Sequence, residues 1–218
     1  MPIACRLRAI GLAAAALAGA DSHADSTFVN PAGSGSTASA HLDFNIVVPA
    51  VLYLRVSTGS AIGAANNTTV DSMSFTVPST HLGDGTAIAA SAGSGDLGNG
   101  SVTVRVFSNG GNGVTLNSSV TGPLSNGSGG TIAWSRITVT PAPLSSTTPG
   151  FTNAAIVHPA FSATSGNGTA TTLAPVGGVV ADECKWTYGY ANQDMVPAGT
   201  YGSTSAGNGV VTYTVTQL

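Results

Sequence analysis

Charged side chains are scarce in this sequence: Lys and Arg number 6, Asp and Glu 9, and together they make up 7% of the chain. Acid–base and metal chemistry need such groups gathered at one place, and here they are spread thinly. The single glutamate, Glu183, stands beside Asp182, and neighbours in a strand face opposite ways. Asp43, Asp71, Asp84, Asp96 and Asp194 are scattered, so a pair of carboxylates flanking a glycosidic bond is not expected. His41, His81 and His158 lie in different segments, and no H-x-x-x-H or C-x-x-C spacing points to zinc. No G-x-S-x-G elbow is present for a hydrolase. Acidic residues outnumber basic ones and no basic patch forms, which argues against nucleic acid. The expectation is a protein without catalysis, cofactor or metal.

Cysteine is rarer still, at 2. Cys5 precedes an apolar run at the N-terminus, and Cys184 lies near the other end of the chain. Long hydrophobic runs are missing as well: no stretch reaches the roughly 20 apolar residues of a membrane-spanning helix. The opening, MPIACRLRAIGLAAAALAGADSHADS, instead has the form of a secretory signal, with Arg6 and Arg8 before the apolar Ala9–Ala20. Cleavage is expected after Ala24, with Ala20 as the other small-residue site. Residues 1–24 then leave as a signal helix, taking Cys5 with them. An exported chain with one cysteine has no internal disulfide. Cys184 is expected in the core, with a disulfide between subunits as the sharper alternative. The mature protein is placed outside the cytoplasm, at the cell surface or in the periplasm, with no transmembrane span.

What the sequence has in quantity is Gly, at 29, with Ser, Thr, Asn and Val. Residues 25–39 (DSTFVNPAGSGSTAS) read as a flexible Gly/Ser-rich lead-in. Residues 40–218 read as a single all-β domain, because short alternating runs recur between Gly/Asn/Ser turns and no 3.6-residue period is sustained. Gly83-Asp84-Gly85 and the Gly95–Gly100 run are expected to be turns, since Asp-Gly and Asn-Gly tolerate positive φ.

The clearest strand is His41–Val48, with Leu42, Phe44, Ile46 and Val48 on one face; Pro49 ends it and Val51–Val56 resumes. Further strands are expected at Ser72–Val77, Thr86–Ala90, Ser101–Phe107, Gly113–Val120 and Thr131–Thr140, the last with a bulge near Ser135. Ala154–His158, Thr169–Leu173, Glu183–Tyr190 and Val210–Thr216 complete the set. This spacing predicts a two-sheet, immunoglobulin-like Greek-key β-sandwich.

Two segments carry a family resemblance. Pro197-Ala198-Gly199-Thr200-Tyr201, followed by VVTYTVTQL, resembles the close of spore-coat-protein-U-like and archaic chaperone–usher pilin domains. His41–Val48, running through Pro49 into Val51–Val56, is similar to the N-terminal strand–Pro–strand of alternate chaperone–usher pilins. Together they cover about a quarter of the chain. One departure is plain: such domains usually carry an internal disulfide, which this mature chain cannot form.

The resemblance implies a secreted, non-catalytic subunit of a bacterial surface fibre or coat. Such a subunit polymerises with itself or related subunits by donor-strand exchange, helped by a periplasmic chaperone and an outer-membrane usher. The donor candidates are then Leu42, Phe44, Ile46 and Val48, unless this strand pairs within its own domain. The alternative function is a carbohydrate-binding or adhesin-type module. It would bind glycan through exposed aromatics among Trp134, Trp186, Tyr188, Tyr190 and Tyr201.

Overall fold

The computed structural model describes residues 25–203 and 205–218, so the expected signal segment lies outside the described residues. The chain divides into two units, residues 1–48 and 49–218. In the first, the described residues form no strand. Within it, the Thr27 hydroxyl donates to the Ser39 carbonyl at 2.7 Å, and His41 Nδ1 lies 2.7 Å from the Asp25 carboxylate.

The second unit is all-β and sandwich-like. Its strands are β1 (Leu52–Val56), β2 (Ile88–Ala89), β3 (Ser101–Ser108), β4 (Val114–Val120), β5 (Leu124–Ser125) and β6 (Thr131–Ile132). They continue with β7 (Ile137–Ala142), β8 (Thr152–Asn153), β9 (Gly166–Asn167), β10 (Thr171–Leu173), β11 (Val180–Tyr190) and β12 (Val211–Gln217). Helical structure among the described residues is limited to 3₁₀ turns at Ser79–His81, Trp134–Arg136 and Ser205–Gly207.

The larger sheet is built on β11, the longest strand. β3 pairs antiparallel along one edge of it and β7 along the other, while β1 pairs with the far side of β3. β2 and β8 add short pairings to β11. The smaller sheet centres on β4, between β12 and β10, with β9 also on β4. β5 and β6 form a separate two-stranded hairpin.

Alternation explains the core. Val102, Val104 and Val106 of β3, Val114 and Leu116 of β4, and Val180, Cys184, Trp186 and Tyr188 of β11 are buried together. Fully burying an apolar side chain of this size contributes about 1.5–3 kcal/mol. The two indoles find acceptors inside: Trp186 Nε1 donates to the Ile156 carbonyl and Trp134 Nε1 to the Gly122 carbonyl, each at 2.7 Å. One tight turn demands glycine. At Gly100 φ is +75°, and an added Cβ would meet Ala90 Cβ at 2.6 Å and the Tyr188 carbonyl oxygen at 2.9 Å.

Most expected strands form within a few residues of their expected bounds, and four expectations need correction. His41–Val48 forms no strand; its pattern suits a half-buried strand, but no ladder partner is supplied to it. Ser72–Val77 keeps the alternation, with Met73, Phe75 and Val77 half-buried against the core, yet it is not a ladder strand. Its one backbone–backbone hydrogen bond runs from Ser91 N–H to the Ser74 carbonyl at 2.7 Å. The bulge expected near Ser135 is a 3₁₀ turn that separates β6 from β7; such a turn also reverses which parity faces inward. Ala154–His158 is not a strand either. It crosses the edge of the core, where Ile156 buries its side chain and offers its carbonyl to Trp186.

Candidate assembly site

The four residues singled out as donor candidates are exposed, like every described residue from 25 to 50: Leu42 76%, Phe44 83%, Ile46 84% and Val48 72%. Val47 beside them is as open. Isolated apolar residues on a surface need no explanation, but a run with period two exposes a whole strand face. Asp43 and Asn45 occupy the opposite parity.

The sheets in turn offer strand edges. Among the described residues, β12 is bonded to β4 on one side and to no strand on the other. Its inward residues Val211, Tyr213, Val215 and Gln217 are half-buried where those of β4 are fully buried. Leu54 and Val56 of β1, with Met73 and Phe75, complete this half-covered fringe of the core. Gln217 Oε1 accepts from the Ser108 hydroxyl and so ties the C-terminal end of β12 to the larger sheet.

Tyr213 anchors the middle of β12. Its hydroxyl lies 2.7 Å from His158 Nε2 and 2.8 Å from the Tyr188 hydroxyl, giving a partly buried chain of three polar groups. The imidazole sits among rings, with centroids 4.6 Å from Phe161 and Trp186, 5.5 Å from Tyr213 and 5.9 Å from Tyr188. Burial favours the neutral ring and lowers its pKa to about 4. Both tyrosine hydroxyls are pushed upward by burial. Beyond His158 an open apolar groove of about 330 Å³ runs between β7 and residues 157–161, with Trp134, Val139, Pro141 and Phe161 in its walls.

The remaining ionisable groups are dispersed and paired locally. Glu183 is fully buried on the outer face of the larger sheet, where Arg105 Nε donates to it at 2.8 Å and Thr148 N–H at 2.5 Å. Burial works to raise that carboxyl, and these donors overcome it, holding it below its usual value. Asp96 takes Arg55, and Asp194 takes Arg136 in a two-pronged pair at 2.6 Å. The Asp84 carboxylate lies 2.8 Å from His81 Nδ1 and accepts Thr86 N–H, and its pKa falls to about 2. No group of three or more His, Cys, Asp or Glu able to hold a metal occurs among the described residues.

Cys184 lies fully buried in the core, and burial pushes its thiol up to about 11. A disulfide to another subunit would require that core to open. Of the aromatics considered for glycan stacking, Trp134, Trp186, Tyr188 and Tyr190 are buried. Tyr201 is half-buried and its hydroxyl donates to the Pro197 carbonyl at 2.7 Å, pinning the turn before β12. None of the five offers an open platform.

Sequence reasoning gave the aromatic parity of β11, with Cys184, Trp186, Tyr188 and Tyr190 all inward. It missed the junction of His158 with Tyr213 and Tyr188, whose members come from three segments far apart in the chain. Only Tyr188 and Tyr213 carried a signal, as inward positions of alternating strands. No helix among the described residues is long and apolar enough to cross a membrane. No protein-family model, curated protein or solved structure matches the chain.

Proposed function

We propose that the mature chain is a non-catalytic structural subunit of a bacterial surface fibre or coat, exported and joined to its neighbours by strand donation. The observation that carries this reading is the exposed, period-two stripe Leu42, Phe44, Ile46 and Val48, which lies outside any strand. A neighbour that lends a sheet edge satisfies both the apolar face and the free backbone of that segment. Residues 25–39 supply slack for the reach.

Strand order supports the same reading. The series β1-β3-β11-β7 and the pair β12-β4 follow the A-B-E-D and F-C order of an immunoglobulin-like sandwich. In that scheme a further strand, G, would lie beside β12, where the described residues place none. The 42–48 stripe of a second copy fits that place: β12 is a 7-residue strand and presents alternate half-buried residues. A periplasmic chaperone and an outer-membrane usher are the partners such a route of assembly would use.

Electron microscopy and light scattering of the purified mature chain test the proposal. Extended assemblies are expected, and Phe44→Asp with Ile46→Asp should leave folded monomers. A wild-type chain that stays monomeric at every concentration would refute it.

A further inference from the structure

We propose that the His158–Tyr213–Tyr188 chain is an acid-sensitive latch on the β12 edge: protonating His158 frees β12 and releases the donor segment of the neighbouring copy. This regulation rests on the assembly reading above. The geometry that carries it is a three-way tie. His158 belongs to the segment that crosses the core edge, Tyr213 to β12 and Tyr188 to β11, and the hydroxyl of Tyr213 bridges the other two at 2.7 and 2.8 Å. Loss of that bridge removes the hydrogen bonds that hold the midpoint of β12 to the larger sheet. The ties to that sheet that remain are the packing of the Tyr213 ring on Trp186, centroids 5.5 Å apart, and the Ser108–Gln217 bond.

No carboxylate stands close enough to the ring to pair with a positive charge. From β11 it meets Tyr188 and the indole of Trp186, from β12 Tyr213, and from its own segment Phe161. The groove side offers Trp134, Ser135, Ile137, Val139 and Pro141, none of them charged. Cys184 shares the inner face of β11 and carries no negative charge at neutral pH. Asp182, the acid on that face, stands four residues before Trp186, about 14 Å along the strand. An imidazolium here faces π systems and hydroxyls but no carboxylate.

The sign follows from linkage. The folded-state value lies below the ordinary 6.5, so the unfolded or unlatched form binds the proton more tightly. The latch is fully closed above about pH 6.5 and opens as pH falls toward about 4, with no further loss below that. Over this range the open population rises about a hundredfold.

Amide exchange of β12 in the full-length mature chain, corrected for its intrinsic pH dependence, reads the latch directly. It is measured in the wild type, in the Phe44→Asp/Ile46→Asp chain that cannot donate, and in His158→Gln. The wild type and the non-donating chain should lose β12 protection by about a hundredfold between pH 7 and pH 4, and wild-type assemblies should dissociate in the same window. His158→Gln should stay flat. Should that variant fail to fold, the titration of His158 read by NMR in the non-donating chain serves instead. A midpoint near 6.5 would overturn the latch. Equal acid sensitivity of wild type and His158→Gln would overturn it too, as would wild-type assemblies intact at pH 4. Failure of the wild type to assemble at any pH would remove the assembly reading, whatever β12 exchange reports.

Discussion

Glu183 shows how one residue can be half legible. Its strand parity, opposite to Cys184 and Trp186, was readable from the sequence and placed it on the outer face. Its partner was not, because Glu183 faces Arg105 only through the register of β11 on β3. The carboxylate is fully buried and held by Arg105 and Thr148. Removing the cation leaves a buried charge with no counter-ion, so Arg105→Met should cost about 3–5 kcal/mol in urea unfolding. Pairing it with Glu183→Leu should recover most of that loss, less what the orphaned Thr148 N–H costs. The pH dependence has the sign of a depressed acid. The stabilisation is complete above about pH 4.5 and fades as acid protonates the folded carboxyl, so wild type and Arg105→Met should converge in acid. Gly100 is the other residue with a plain consequence. At φ +75° and with Ala90 and Tyr188 against it, Gly100→Ala should lower stability by more than about 1 kcal/mol, read as a drop in Tm.

Among the elements, alternation located the strands well, but it cannot distinguish a strand from an extended segment lacking a partner. Ser72–Val77 has inward Met73, Phe75 and Val77, yet a single backbone–backbone bond, to Ser91. His41–Val48 alternates through Leu42, Phe44, Ile46 and Val48 and forms no strand. Both carry the pattern of a ladder strand and have no ladder partner among the described residues. Native-state amide exchange should separate the two kinds of element. Amides of β3 and β11, paired on both sides over much of their length, should exchange only through global unfolding, while those of residues 72–77 exchange through local opening. Protection of residues 72–77 equal to that of β11 in a monomer would contradict the description. The 3₁₀ turn at Trp134–Arg136 was legible as a break in parity, though not as a helix turn.

At the scale of the whole molecule, the scarcity of charge and the excess of turn residues foretold an all-β body, and the structure has one. The pairing order was not in the sequence, because no local pattern encodes which strand meets which across separations as large as that between β3 and β11. The same is true of the junction at Tyr213, assembled from three distant segments. Under the proposed assembly, the exposed apolar stripe at residues 42–48 and the outer edge of β12 are the two surfaces that would meet. Isothermal titration of a synthetic Ala40–Val48 peptide into the full-length Phe44→Asp/Ile46→Asp chain tests that contact most directly. Saturable binding of one peptide per chain, with a rise in Tm and new protection along β12, is the predicted result. A folded chain that takes up no peptide, with β12 exchange unchanged, would contradict the account.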